Sequence, residues 1–265
     1  MQVTGLNALS DNYIWVIHNE HQAWVVDPGE SHPVLAFLSA HNLVLKGILI
    51  THHHYDHTDG VENLIQAFPD INVYAGTQTE KPYITHRLKQ GDQIVLANKT
   101  LQIIETPGHT LDHIAYVSDQ WLFCGDTLFT GGCGRVFEGT AQQMSDSLLK
   151  LRSLDDQLLV YCGHEYTLTN LNFARIAEPQ NPEIETRYKI DRQKRINNQP
   201  CVPSNLHQEK LTNPFLRFDL EPLSGNITQR MGRVDQKPTQ DQLFAELRAW
   251  KDSLDKTGEL EEPLD

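Results

Sequence analysis

The sequence predicts an α/β protein, with two packed β-sheets flanked by helices and then a smaller α-helical domain. Three observations lead there. Through about residue 166, short β-rich runs alternate with turns and a few helical stretches. Some of these runs meet through hairpins and others through helical crossovers, which calls for antiparallel and parallel pairing together. Beyond about Leu168 the strand runs stop and helical periodicity takes over. The division is therefore set at residues 1–166 and 167–265, within the reach of 265 residues for one medium domain and a smaller partner.

Taken in order, Asn12–His18 and 23–26 read as the strands of a hairpin, closed by the stop Asp27-Pro28-Gly29. Ser31 followed by Pro33 starts a helix whose apolar spacing runs through 34–41. Residues 43–51 form a mostly apolar strand, so the run THHHYDHTDG (51–60) sits at its C-terminal end. Val61, Leu64, Ile65 and Phe68 keep i, i+3, i+4, i+7 spacing and give the next helix. Further strands are expected at 73–74, Gln93–Leu96, 101–105, Ile114–Val117, 121–124 and 158–162, with a helix at Ala141–Arg152. In the second half, 181–198 and 239–254 read as helices, separated by Asn213-Pro214-Phe215 and the polar stretch 221–238. The basic run 187–195 reads as a solvated helix face, and the acidic tail 259–265 as frayed.

Composition narrows the function. Hydrophobic residues make up 39% and charged residues 22%, so the chain can bury a core. A formal net charge of −13 argues against nucleic acid or an anionic membrane as a partner. The start MQVTGLNALSDNY has neither a basic region nor an apolar core, and no run approaches the roughly 18 apolar residues of a membrane span. Four cysteines without CxxC or framework spacing fit free thiols, and a cytoplasmic monomer is expected.

The run at 51–60 contains the pattern His52-x-His54-x-Asp56-His57. On an extended segment residues i and i+2 point the same way, so His52 and His54 can grip one ion. Asp56 and His57 follow where the chain turns, within reach of a second ion. Three later segments each add one donor preceded by glycine: His109 in ETPGHTLDH, Asp126 in FCGDTLF and His164 in VYCGHEYT. Counting gives His52, His54 and His109 for one ion, and Asp56, His57 and His164 for the other. Asp126 is free to bridge them. Three or four protein ligands per ion leave an open position, the mark of a catalytic site. Two divalent metal ions are expected, zinc first, with iron or manganese also suited to these donors. His53 alternates away from its neighbours and is expected to pack or support, and His113 to be a satisfied structural histidine.

The set T-H-x-H-x-D-H, T-P-G-H-T, C-G-D-T-L-F and C-G-H-E-Y-T resembles the metallo-β-lactamase superfamily, and within it glyoxalase II, the hydroxyacylglutathione hydrolases. The resemblance runs nearly end to end and includes GGCGRVFEGT (131–140), TNPFLR (212–217) and LRAWKD (247–252). It implies an αββα sandwich and the same division of ligands, with Asp56 orienting a hydroxide shared by the two ions. It also implies glutathione contacts from Arg135, Phe137, Tyr166, Arg248 and Lys251. The chain departs from the family at Arg135, where lysine is common, and at Phe137, where tyrosine is common. Phe137 lacks the phenol, and Arg135 keeps the charge with another donor geometry. The implied reaction is hydrolysis of S-D-lactoylglutathione and other S-2-hydroxyacylglutathiones to a 2-hydroxy acid and glutathione. An anionic tripeptide calls for a local positive patch on this acidic chain, and Arg135, Arg248 and Lys251 are its candidates. A persulfide dioxygenase with one iron would need no second ligand set. A non-catalytic metal-binding module would fill its coordination sphere and need no organised pocket.

Overall fold

In the computed structural model, which describes residues 1–232 and 237–261, two six-stranded sheets face each other across one apolar layer. The first sheet runs β1 (Gln2–Ala8), β2 (Asn12–His18), β3 (Gln22–Val26), β4 (Val44–Leu49), β5 (Asn72–Gly76), β6 (His86–Leu88). Strands β1 to β3 are antiparallel, whereas β3 to β6 pair in parallel. Parallel neighbours need a crossover. Helix α1 (His32–His41) supplies it between β3 and β4. Between β4 and β5 come α2 (Tyr55–Thr58), a single turn, and α3 (Val61–Ala67).

The second sheet, from one edge, runs β14 (Ser204–Asn205), β13 (Leu159–Cys162), β10 (Trp121–Gly125), β9 (Ile114–Val117), β8 (Lys99–Glu105), β7 (Gln93–Leu96). Strands β7 to β10 form an antiparallel meander, and β13 joins β10 in parallel. The crossover is α4 (Ala141–Arg152), which starts at a capping box between Thr140 and Gln143. Just after β10 the chain makes a small ribbon, β11 (Leu128–Phe129) and β12 (Gly132–Cys133).

Alternation along β2 explains the layering. Tyr13, Trp15 and Ile17 point into the inter-sheet core with Ile103, Tyr116, Phe123 and Tyr161. Ile14 and Val16 point the other way, under Val34 and Leu38 of α1 and Val61 and Leu64 of α3. A strand buried on both faces has to be nearly all apolar, and NYIWVIH is. Trp15 anchors the two sheets: its ring meets Tyr161 edge-on at 4.9 Å, and its Nε1 donates to the Cys162 carbonyl at 2.9 Å.

The rest is helical: α5 (Thr167–Ala177), α6 (Pro182–Ile196), α7 (Leu206–Thr212), a 3₁₀ turn at Pro214–Leu216, α8 (Leu223–Arg230) and α9 (Gln240–Thr257). Phe173, Phe215, Phe218, Phe244 and Leu247 join the inter-sheet core through Met144, Leu148 and Leu151 of α4. Three expectations need correction. The half expected to lack strands contributes β14, which pairs antiparallel with β13. Arg187 is not on a solvated face. It is 2% exposed, with Nη1 donating to Thr212 at 2.6 Å and Nη2 to Glu209 at 2.5 Å, because its planar fork satisfies several buried acceptors at once. The tail is docked through Leu260, which is buried and accepts from Asn172 Nδ2 at 3.0 Å; residues 262–265 lie outside the described residues. The stretch 221–238 contains α8, and its residues 233–236 also lie outside them.

Candidate metal centre and adjoining cavity

After β4 the chain bends through 51–54 and enters α2, so the first donor run is a bend followed by a helical turn, not a continued strand. His54 keeps an extended conformation (φ −57°, ψ 147°), and His52 and His54 still converge. His52 Nε2 and His109 Nε2 lie 3.0 and 3.1 Å from His54 Nδ1. Around a tetrahedral ion with bonds of about 2.0–2.1 Å, neighbouring donors stand roughly 3.3 Å apart. The second group has the same spacing. His57 Nε2 is 3.5 Å from Asp56 Oδ2 and 3.4 Å from Asp126 Oδ1. His164 Nε2 is 3.4 Å from Asp56 Oδ2 and 3.2 Å from Asp126 Oδ2. Asp126 Oδ2 also stands 3.5 Å from His109 Nε2, so this carboxylate borders both groups.

The residues fit a binuclear metal site. His57 Nε2 and Asp126 Oδ1 are buried and have no hydrogen-bond partner. An unmet polar atom of that kind costs about 1–3 kcal/mol, and a cation between the rings and the carboxylates would satisfy both. His52, His54 and His109 could hold one ion and Asp56, His57 and His164 the other, with Asp126 facing each.

Three of the four inward-facing Nε2 rings, those of His52, His109 and His164, have the rear nitrogen held by a hydrogen bond, and His57 has a carboxylate behind it. His52 Nδ1 lies 3.0 Å from Thr51 Oγ1, whose hydroxyl donates to Asp27 Oδ2 at 2.7 Å. His57 Nδ1 lies 3.1 Å from the same Asp27 oxygen. His109 Nδ1 donates to the Arg135 carbonyl at 2.8 Å, and His164 Nδ1 to Asp11 Oδ1 at 2.7 Å. Asn12 Nδ2 donates to Asp56 Oδ2 at 3.0 Å. Such partners orient ligand rings and set their tautomers. Sequence reasoning missed Asp11, Asn12, Asp27 and Thr51. Asp27 carries one signal, an acid at a strand end before Pro-Gly, which a simple turn stop explains equally well.

Electrostatics separates the two groups. Burial pushes His52 and His109 below the usual imidazole range, which leaves neutral donors. At His57 burial opposes charge, yet the Asp126 and Asp27 carboxylates outweigh it and raise the ring to about 10. Burial likewise opposes charge at Asp126, but His164 and His57 hold its carboxyl well below the ordinary range. Carboxylate charge is thus concentrated in the second group, where it attracts a cation.

Two glycines make the crowding possible. A Cβ on Gly163 would stand 2.4 Å from Asp126 Oδ1 and 2.7 Å from His57 Cε1. Gly125 has φ +45°, which turns the chain sharply from β10 into Asp126. His113 is satisfied: Nδ1 meets the hydroxyls of Thr106 and Thr127 at 2.8 and 3.1 Å, and Nε2 accepts from the Asp126 amide at 3.1 Å. His53 turns outward, with Nδ1 2.9 Å from Asp112 Oδ1 and Nε2 3.3 Å from Glu138 Oε1. That trio could also ligate, but Asp112 already accepts from Thr110 and Thr79, each at 2.7 Å.

Beside His109 and Asp126 opens a cavity of about 430 Å³, walled by Arg135, Phe137, Tyr166, Arg248 and Lys251. The structure therefore brings together all five residues expected to meet the substrate. Tyr166 stacks on His164 at 4.8 Å, and Phe137 sets its edge against His109 at 5.2 Å. Arg248 Nη1 donates to the Cys133 carbonyl at 3.1 Å, tying α9 to the ribbon. From below, Glu209 accepts the Gly131 amide at 2.8 Å, and Asn213 donates to the carbonyls of Phe129 and Gly132 at 3.0 and 2.9 Å. The expected positive patch is largely offset by Asp252 and Asp255, which lie on α9 among the cations.

Two facing mixed sheets between helices, with paired donor groups at their strand ends, define a metallohydrolase of the metallo-beta-lactamase superfamily, whose family model matches residues 9–164. Residues 165–254 match a second model, the hydroxyacylglutathione hydrolase C-terminus. Over 100% of this chain and 99% of the relative, the sequence is 49% identical to the hydroxyacylglutathione hydrolase of Hydrogenovibrio crunogenus. The chain belongs to the hydroxyacylglutathione hydrolases, the glyoxalase II family of thioester hydrolases. Among solved structures, ETHE1 from Myxococcus xanthus shares the fold, with a TM-score of 0.63 at 24% identity over 95% of this chain and 98% of that one. TTHA1623, solved in a di-iron-bound form, has a TM-score of 0.51 at 26% identity over 62% of this chain and 92% of its own. Among the described residues no helix is long and apolar enough to cross a membrane.

Proposed function

We propose that this chain hydrolyses S-D-lactoylglutathione, and other S-2-hydroxyacylglutathiones, to the 2-hydroxy acid and glutathione, as a step in methylglyoxal removal. The observation that carries the reading is the junction of two donor groups sharing Asp126 with a cavity that Arg248 and Lys251 also line. The ligands are His52, His54 and His109 for one ion, Asp56, His57 and His164 for the other, and Asp126 for both. Bound there, two divalent ions would lower the pKa of a water to about 7 and polarise the thioester carbonyl. We take them to be zinc, with iron or manganese suited to the same donors.

The chain's own residues do the rest. Asp56 opposes its burial through His164, His57 and Asn12, which keep it ionised and ready to accept a hydrogen bond from the attacking water. Asn12 fixes its orientation. The leaving thiolate is stable enough to need no strong general acid. Arg135, Arg248, Lys251 and Tyr166 hold the tripeptide, and Phe137 covers the ligand rings on the acyl side. Residues 1–166 form the catalytic domain and 167–265 the glutathione-binding domain. Four buried free thiols, Cys124, Cys133, Cys162 and Cys201, support a reducing cytoplasmic setting, where we take the enzyme to act as a monomer.

The test follows S-D-lactoylglutathione at its thioester absorbance, with metal analysis of the same sample. Turnover with two metals per chain supports the reading. Two bound metals without turnover would replace the substrate, and turnover with one metal would replace the binuclear assignment.

A further inference from the structure

Arg135, Arg248 and Lys251 converge on the cavity, yet none faces it as a bare charge. Asp255, one turn after Lys251 on α9, receives Lys251 Nζ on both carboxylate oxygens, at 2.9 and 3.1 Å. Arg248 Nη2 and Arg135 Nη2 each lie 3.5 Å from Asp255 Oδ2. Asp252 takes the other side of Arg248, with Nη2 at 2.8 Å and Nε at 3.1 Å. Spacing of i, i+4 accounts for the pairs Lys251–Asp255 and Arg248–Asp252. It does not account for Arg135, which comes from the loop after β12. Nor does it account for the position of Asp255, whose side chain is only 12% exposed on the cavity wall.

We propose that Asp255 is a specificity-determining residue, an internal carboxylate that occupies the cation cluster until a substrate carboxylate displaces it. The inference rests on reading the cavity as a glutathione-thioester site. An incoming carboxylate exchanges one anion for another, so its gain is the difference between two similar contacts. A ligand with blocked carboxylates makes no such exchange, so Asp255 narrows the preference for the free acid over the ester. Asp255→Asn keeps the size and removes the competing charge. A charge-assisted contact is worth roughly tenfold to a hundredfold in binding. Solvent at the cavity mouth reduces that, so the ratio of KM for the ester to KM for the acid should rise about threefold to tenfold. The effect falls on KM, because the cluster is remote from the bond that breaks.

The experiment measures KM and kcat for S-D-lactoylglutathione and for its diester in the parent, Asp255→Asn and Asp255→Glu. Calorimetric titration with S-methylglutathione, which has no thioester to cleave, accompanies the kinetics. A raised ester-to-acid KM ratio in Asp255→Asn, returned toward the parent value in Asp255→Glu, supports the assignment. An unchanged or lowered ratio overturns it and makes Asp255 a brace for Lys251. A parent that hydrolyses neither compound breaks the proposed substrate, and the titration still decides the role of Asp255. Tighter S-methylglutathione binding in Asp255→Asn supports it, and equal or weaker binding overturns it.

Discussion

The metal cradle and the cation cluster line one cavity and handle charge in opposite ways. In the cradle His52, His109 and His164 are held from behind by hydrogen bonds, while His57 Nε2 and Asp126 Oδ1 face inward unmet. In the cluster every cation is already paired with Asp252 or Asp255. The first arrangement costs stability and keeps the donors in place for an ion. The second gives up part of that readiness, and its partners can be exchanged. Chemistry that depends on fixed geometry is built the first way, and capture and release of a substrate the second.

The largest effect should come from the carboxylate shared within the cradle. Asp126→Ala should lower kcat/KM by roughly a thousandfold and empty at least one metal position, read by steady-state kinetics and elemental analysis. Two retained metals with near-normal turnover would dissolve the contrast between cradle and cluster. A smaller loss should follow from loosening a ring while keeping every ligand. Asp27→Asn weakens the support of His57 and Thr51, so metal affinity measured against a competing chelator should fall about tenfold to a hundredfold. Excess metal should restore turnover.

In the cation cluster, Arg248→Ala or Lys251→Ala should leave both metals in place and lower kcat/KM about tenfold, through KM. Unchanged KM in both variants would mean that α9 does not read the substrate. The smallest effect belongs to His53→Ala. Both its nitrogens point away from the cradle to Asp112 and Glu138, and without it the buried Asp112 keeps its hydrogen bonds from Thr110 and Thr79. Metal content should stay at two per chain, with kcat/KM within roughly fivefold of the parent.

What the sequence revealed divides along the same line. The two donor groups were legible because histidine and aspartate concentrated at strand ends have few other uses, and glycine before three of them marked close packing. Strands with two buried faces, such as β2, stood out as apolar runs. Strand β1 escaped notice because most of its residues are partly or fully exposed and Gly5 interrupts it. Strand β14 escaped because two polar residues leave no pattern, and only the edge of β13 makes them a strand. Asp11 and His164 are 153 residues apart, so their pairing exists only in the fold. The partners of Arg248 and Lys251 were different. Asp252 and Asp255 stand four residues on in each case, a spacing visible in the sequence that pairs each cation along one helix face.

Strand β13 lies between β10 from the first half of the chain and β14 from the second. A chain ending at residue 166 would leave that side of β13 as a bare row of peptide groups, beside the surface of α4 that α9 now covers. An uncovered strand edge next to apolar surface is a template for aggregation. The helical half therefore closes that edge and covers that face of α4 as well as shaping the cavity. Any module put in its place would have to close or cover that edge as well, with a short strand, a helix or a loop of its own.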